Sequence, residues 1–164
     1  MPTAHLIHGY LGAGKTTFAR RLEVELPAPR FSHDDWMSRL HGEDPPEADF
    51  AENHRRVWDL METLWPRALA LGLDVVLDLG FWRRAERDRA RALALAAGAE
   101  ARLYSLACSD EVAWARIEAR NRDLQGSLFI SRDTFEVLRT RLEPLHPDEA
   151  RVEGQPEVTD RASR

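Results

Sequence analysis

The sequence predicts an α/β fold, a parallel sheet with helices on both faces. Three observations carry that expectation. Strand-like apolar runs alternate with helical periodicities along the chain. Two of the runs, residues 73–79 and 101–107, are nearly continuous in apolar residues, as expected of parallel strands buried on both faces. The first strand, residues 4–8, feeds a glycine-rich turn that opens directly into a helix.

That turn is the most informative stretch of the chain. Residues 8–17 read His-Gly-Tyr-Leu-Gly-Ala-Gly-Lys-Thr-Thr and match G-x-x-x-x-G-K-[ST] at every fixed position, from Gly9 to Thr16. A phosphate chain needs several N–H donors turned inward on a tight curve. Gly9, Gly12 and Gly14, with Ala13 among them, permit that curve. The helix beginning around Thr17 offers its free N–H groups and positive dipole end to the same anion. Lys15 supplies a mobile charge for the β- and γ-phosphates, and the Thr16 hydroxyl can reach Mg²⁺. Lys15 is also the only lysine; every other Lys or Arg side chain is arginine. The one compact ammonium stands where a planar fork would not substitute for it. ATP and Mg²⁺ are the expected cofactors. A guanine-specific Asn-Lys-x-Asp motif is absent, since the only lysine is at position 15.

The remaining elements follow in order. The first helix spans 17–26 and stops at Pro27. Residues 30–32 form a brief second strand. His33, Asp34, Asp35 and Trp36 come next, then a short helix to Leu40. Residues 42–46 are a loop. A long helix covers about 48–71, with Val57, Leu60, Met61 and Leu64 at i, i+3, i+4 and i+7. Pro66 is a point where it could kink or divide, and Gly72 ends it. The strand 73–79 carries Asp78 at its end. Helix 83–97 stops at Gly98, and strand 101–107 follows. Ser109 or Asp110 caps a helix that runs to about Arg120. Residues 121–130 read as a loop able to close over a nucleotide. Ser131 caps a helix bearing Phe135, Leu138 and Leu142, and Pro144 and Pro147 end regular structure. Residues 152–164 either add a short edge strand near Val158 or stay disordered. The organisation expected is one domain over residues 1–150 and a polar C-terminal tail over 151–164.

Composition narrows the function classes. At 164 residues, with 43% hydrophobic and 31% charged, the chain can bury a proper core. No apolar run approaches the roughly 20 residues of a membrane span. The first strand begins almost at once, leaving no room for a signal peptide. The single cysteine, Cys108, excludes an internal disulfide, suits the cytoplasm and is expected in the core. A net charge of −5 argues against general coating of nucleic acid. The six histidines show no metal spacing.

Strand C-termini gather ligand-binding residues in such sheets. Asp34 and Asp35, past the second strand, offer a carboxylate to a phosphoryl acceptor; one of the two can cap the helix while the other works. Trp36 beside them could stack on a substrate. Asp78, closing Val75-Val76-Leu77-Asp78, resembles the Walker B carboxylate that holds Mg²⁺. Arg116 and Arg120 share a helix face, and with Arg122 they flank the loop 121–130, where arginines stabilise charge on a transferred phosphoryl group. The densest basic run, Arg83 to Arg91, reads as a solvated helix with Glu86–Arg89 and Asp88–Arg91 pairs.

Taken together these residues resemble the P-loop kinases of the polynucleotide-kinase and zeta-toxin type, a group also described as AAA-type ATP-binding kinases. The resemblance covers about residues 3–149. It implies a P-loop NTPase fold, an adenylate-kinase-like core with a lid, and transfer of the γ-phosphoryl of ATP to a hydroxyl. Ser32-His33-Asp34-Asp35-Trp36 is similar to the family's Arg-Asp-Asp-Tyr segment, which would make Asp34 the general base. Arg120-Asn121-Arg122 looks like the Arg-Asn stretch of the lid. Two departures stand out. Leu79-Gly80 replaces a Thr-Asn pair after the Asp78 strand, and Met37 replaces the arginine that grips a nucleic-acid phosphate. The acceptor expected is therefore a small or nucleotide-sized molecule; a polynucleotide 5′-hydroxyl is the alternative. An ATPase or nucleotide switch without an acceptor is the rival from another class.

Overall fold

Strands β1 (Thr3–His8), β2 (Arg30–Ser32), β3 (Val75–Gly80), β4 (Glu100–Ser105) and β5 (Val152–Glu153) form one parallel sheet in the computed structural model, which describes residues 1–153. Their order across the sheet is β2-β3-β1-β4-β5. The helices are α1 (Lys15–Glu25), α2 (His33–His41), α3 (Glu47–Ala70), α4 (Arg84–Ala96), α5 (Asp110–Asn121) and α6 (Arg132–Arg139).

The pleat sends successive residues of each strand to opposite faces. Leu6, Val75, Leu77 and Leu103 enter a core with Val57, Met61, Trp65 and Leu69 of α3 and Ala90 and Ala94 of α4. Ile7, Val76 and Tyr104 enter a second core with Phe18, Ala19 and Leu22 of α1. β4, expected to be buried, is exposed from Glu100 to Arg102 and buried only at Leu103 and Tyr104, whereas the apolar run of β3 reflects cover on both faces. This is the doubly covered parallel sheet of a P-loop NTPase. A third cluster joins Tyr10 to Ala113 and Ile117 of α5 and Phe135 of α6, which seats the last two helices beside the glycine-rich turn.

Several boundaries differ from expectation, each for a local reason. α2 starts at His33, so Asp34 and Asp35 lie in its first turn; the Ser32 hydroxyl caps it by accepting from the Asp35 amide at 3.4 Å. β3 runs on to Gly80, with Asp78 inside the strand, because β2 pairs up to Asp78 and β1 up to Gly80. β4 stops at Ser105, where its register with β1 ends at His8. Pro66 neither breaks nor divides α3. An interior proline costs about 3 kcal/mol. Burying Met61, Trp65 and Leu69, each at 1% exposure or less, returns about 1.5–3 kcal/mol per side chain and outweighs it. The edge strand is at Val152–Glu153, paired with Tyr104 and Ser105. Val158 lies outside the described residues.

The basic run 83–91 is the largest departure. Arg91 pairs with Asp88 as expected, at 3.1 Å, but Arg89 reaches Glu62 of α3 instead of Glu86. Arg87 is fully buried. Its guanidinium binds Glu149 in a two-point fork, at 2.7 and 2.9 Å, and also donates to the carbonyls of Phe81 and Trp82. That contact holds a strained turn, since Phe81 has φ of 48°. His8 Nδ1 also meets the Phe81 carbonyl, at 3.0 Å, and Trp82 Nε1 donates to Gly9 O at 3.1 Å. A guanidinium expected in solvent thus supports the connection that buttresses the glycine-rich loop.

Candidate active site

The loop between β1 and α1 has the curvature that its glycines predict. Gly14 is the left-handed residue from which α1 starts, with φ of 95°. Gly12 has φ of 74°, and a Cβ there would run into the backbone of Ala113. Gly9 and Ala13 build the loop but do not line the adjoining cleft. Lys15 Nζ folds back onto the Tyr10 carbonyl at 2.9 Å. Arg116 Nη1 donates to Gly12 O at 3.1 Å, and the half-buried Cys108 Sγ lies 3.8 Å from the same oxygen.

A cleft of about 770 Å³ opens from this loop across the C-terminal ends of the strands. Gly12, Gly14, Lys15, Thr16, Thr17, Asp34, Asp35, Asp78, Arg116 and Arg120 all border it. Residues from three strand ends and one later helix therefore meet at one place, as a parallel sheet requires. Arg122 and Trp36 do not reach it. Arg122 is exposed at the end of α5. Trp36 turns the other way, packing on Phe31 with ring centroids 6.2 Å apart and against the α3 core. Met37 is fully buried in that core, so its side chain serves packing.

Asp34 and Asp35 have separate tasks. Asp35 is bound by Arg30 Nη2 at 2.5 Å. Arg30, barely exposed, also pairs with Glu23 at 3.3 Å and stands 3.5 Å from Asp78. It fixes the α1, α2 and β3 carboxylates together, a role that sequence reading missed. Asp34 has no such anchor and faces the cleft, 59% exposed. Crowding by the cleft walls raises its pKa, but His33, Lys15 and Arg120 together outweigh that, and the carboxyl is held below its ordinary value. Asp34 is the ionised, reachable carboxylate of the pair.

Asp78 and Lys15 are coupled through burial. Burial raises the Asp78 carboxyl above its ordinary value, against the pull of Lys15 and a hydrogen bond from Thr16. Enclosure likewise lowers the Lys15 ammonium, against Asp78 and Asp34. Arg120 is lowered by burial, with Asp34 opposing. Asp78 Oδ2 and Arg120 Nε are buried without a hydrogen-bond partner, although Arg30 Nη1 stands 3.5 Å from that Asp78 oxygen. Such orphans point to a ligand-binding region. An orphaned carboxylate oxygen next to a hydroxyl fits Mg²⁺, which takes few protein oxygens and completes its shell with phosphate and water.

The segment after α5 is clasped shut. Asn121 bonds both the carbonyl and the amide of Ile130, at 2.6 and 3.2 Å. Glu43, in the α2–α3 loop, accepts from the amides of Gly126 and Phe129. Leu128 is buried beside Met37 and Val57. The opposite wall belongs to α3, where Phe50, His54 and Trp58 border the cleft together with His33. Their i, i+4, i+8 spacing was visible in the sequence.

With this geometry in place, the comparisons with known proteins can be read. The AAA_33 profile, an AAA domain, matches residues 5–145. The chain belongs to this AAA-domain family. No curated protein matches it. Solved structures share the fold at low identity. A candidate kinase from Chloroflexus aurantiacus j-10-fl superposes with a TM-score of 0.72 at 19% identity, covering 93% of this chain and 85% of that one. Chaetomium thermophilum Kti12, solved with ADP-AlF3, gives 0.63 at 18%, covering 89% and 82%. A gluconokinase from Sinorhizobium meliloti 1021 gives 0.59 at 19%, covering 93% and 80%.

Proposed function

We propose that the chain is an ATP-dependent kinase that moves the γ-phosphoryl group to a hydroxyl of a small or nucleotide-sized acceptor. The observation that carries this reading is Asp34. It is an ionised carboxylate with no structural anchor, close enough to Lys15 and Arg120 to feel both charges, at the mouth of a cleft that continues to the α3 wall. Hydrolysis would need only space for water; a cleft extending beyond the carboxylate favours an acceptor. The gluconokinase likeness supports the same class.

In this reading the loop amides, Lys15 and Arg116 hold the phosphates of ATP. Thr16 and Asp78 would hold Mg²⁺, which neutralises phosphate charge when bound. Asp34 accepts the proton of the acceptor hydroxyl. The acceptor oxygen forms a bond to the γ-phosphorus, the bond from that phosphorus to the β–γ bridging oxygen breaks, and ADP leaves. Arg120 offsets the charge on the phosphoryl group in transit. The acidic net charge and the buried Met37 favour a small acceptor over a polynucleotide, and the cytoplasm is the compartment proposed.

The test is incubation with γ-labelled ATP and acceptors from several classes. Label recovered on an acceptor, lost in Lys15→Ala, is the expected result. ATP turnover that yields only inorganic phosphate, with every acceptor class, would assign the chain to the hydrolases instead.

A further inference from the structure

The wall opposite the phosphate loop has a chemistry of its own. Phe50, His54 and Trp58 lie along one face of α3 and border the cleft. The His54 and Trp58 rings are within 13° of parallel at 6.1 Å, Phe50 lies 6.1 Å from His54, and the His33 ring lies 4.0 Å from His54. His54 is exposed and Phe50 and Trp58 are half-buried, so their faces are not consumed by the core. Asp34 adjoins this wall on the cleft it shares with Lys15, since its Oδ1 lies 3.9 Å from Nδ1 of His33, whose ring meets His54. A hydroxyl held at Asp34 would carry the rest of its molecule against the rings.

Apart from the His54 ring nitrogens, the side-chain polar atoms of the wall are occupied. Trp58 Nε1 donates to Glu62 at 3.0 Å, and His33 Nε2 meets the His54 carbonyl at 3.2 Å. A polyol laid there would bury hydroxyls without partners, which costs more than the contact returns. A flat ring has no such need. Nor does α3 offer a cation to this wall, because Arg55 and Arg56 are tied to Glu52 on the outer surface. Crowding first, and the neighbouring His33 second, hold His54 down to about 4 and leave it neutral near pH 7. Around the rest of the cleft stand Arg20, Arg83 and Arg141 as well as Glu86.

Resting on the kinase reading above, we infer that the acceptor is an alcohol bearing a flat aromatic or heteroaromatic ring, such as a nucleoside, with the ring on Phe50, His54 and Trp58 and the hydroxyl at Asp34. The same wall offers little to an acceptor with no ring, such as glucose or gluconate.

The experiment is transfer of labelled phosphate from ATP to uridine, cytidine and 2-phenylethanol, against glucose, gluconate and a 5′-hydroxyl oligonucleotide. Uridine, cytidine or phenylethanol should exceed glucose and gluconate in kcat/KM by at least about tenfold, the scale of one ring-stacking contact. Trp58→Leu should raise the KM of the ring acceptor about tenfold while the KM for ATP stays put, and Trp58→Phe should restore most of it. A loss due to misfolding would raise both constants or lower the melting temperature, and Phe50→Leu offers a second probe of the same face. Efficient transfer to glucose, gluconate or the oligonucleotide, with none to the ring alcohols, would overturn the inference and leave the kinase reading standing. An unchanged acceptor KM in both Trp58→Leu and Phe50→Leu would also overturn it. ATP bound but no acceptor of any class phosphorylated would remove both readings.

Discussion

Lys15, Asp34 and Asp35 border one cleft, and of the two aspartates only Asp35 is fixed by an arginine. The glycine-rich turn was legible because all its chemistry lies within the eight consecutive residues Gly9 to Thr16, so nothing distant had to be inferred. The division of labour between Asp34 and Asp35 was not legible. It depends on Arg30, whose fork to Asp35 is set by the approach of β2 to β3. Two predictions belong at this scale. Lys15→Ala and Lys15→Arg should both abolish transfer, the latter because a planar fork cannot take the place of a compact ammonium. Melting should shift little, since no core packing is lost; wild-type-like turnover in Lys15→Arg would contradict the phosphate role. Asp34→Asn should lower kcat by about 10²–10⁴, with ATP affinity unchanged. Asp35→Asn should behave oppositely, costing about 1–3 kcal/mol of stability through the lost charged hydrogen bond and leaving most of the turnover. Steady-state kinetics and chemical denaturation of the two variants decide which carboxylate does which.

The elements were readable to within a few residues wherever a cap or a glycine marks the end. Ser32, Ser109 and Ser131 all accept from the third residue on, which is the standard N-cap bond. What could not be read was which side of an element faces what. The α3 periodicity shows one stripe in Val57, Met61, Trp65 and Leu69 and another in Phe50, His54 and Trp58. Spacing does not say that the first meets a sheet and the second a cleft. The segment 121–130 gives the prediction at this scale. Its amides should gain hydrogen-exchange protection when a non-hydrolysable ATP analogue binds, because Arg116 and Arg120 lead into it from the phosphate site. Equal protection with and without the analogue would leave it a static loop, held by Asn121 and Glu43 alone.

At the level of the whole molecule, long-range charge decides stability. Within the Arg87–Glu149 pair, Arg87→Met should cost less than Glu149→Gln, because Arg91 still reaches Glu149 at 3.2 Å. Glu149→Gln leaves the buried Arg87 guanidinium without its carboxylate and should cost about 3–5 kcal/mol. That corresponds to a melting-point drop of roughly 6–20 °C for a domain of this size. The pH dependence has a fixed sign. Burial lowers the His5 and His8 imidazoles below their ordinary value, so the unfolded chain takes up protons first. Their contribution is complete above about pH 6.5 and is lost as the pH falls through the lowered values. Arg87 holds Glu149 below the ordinary carboxylate range, so that contribution is complete above about pH 4.3 and is lost below it. Urea denaturation from pH 8 to 3 should therefore show stability falling in two stages, with the second diminished in Arg87→Met.

That same pair has a consequence for how the protein is made. Sixty-two positions separate Arg87 from Glu149. A ribosome that has delivered β1, α1, β3 and α4 has delivered every residue of the phosphate loop, together with a guanidinium that must enter the interior. Its carboxylate partner comes only much later. Until then, closing the sheet over that side chain would bury a lone charge, so the growing polypeptide should stay open and defer its collapse. Chains ended after residue 148 should accordingly remain protease-sensitive and fail to bind ATP, although they contain the whole nucleotide motif. Resistance to protease in such a chain would show that the N-terminal portion consolidates without its late partner.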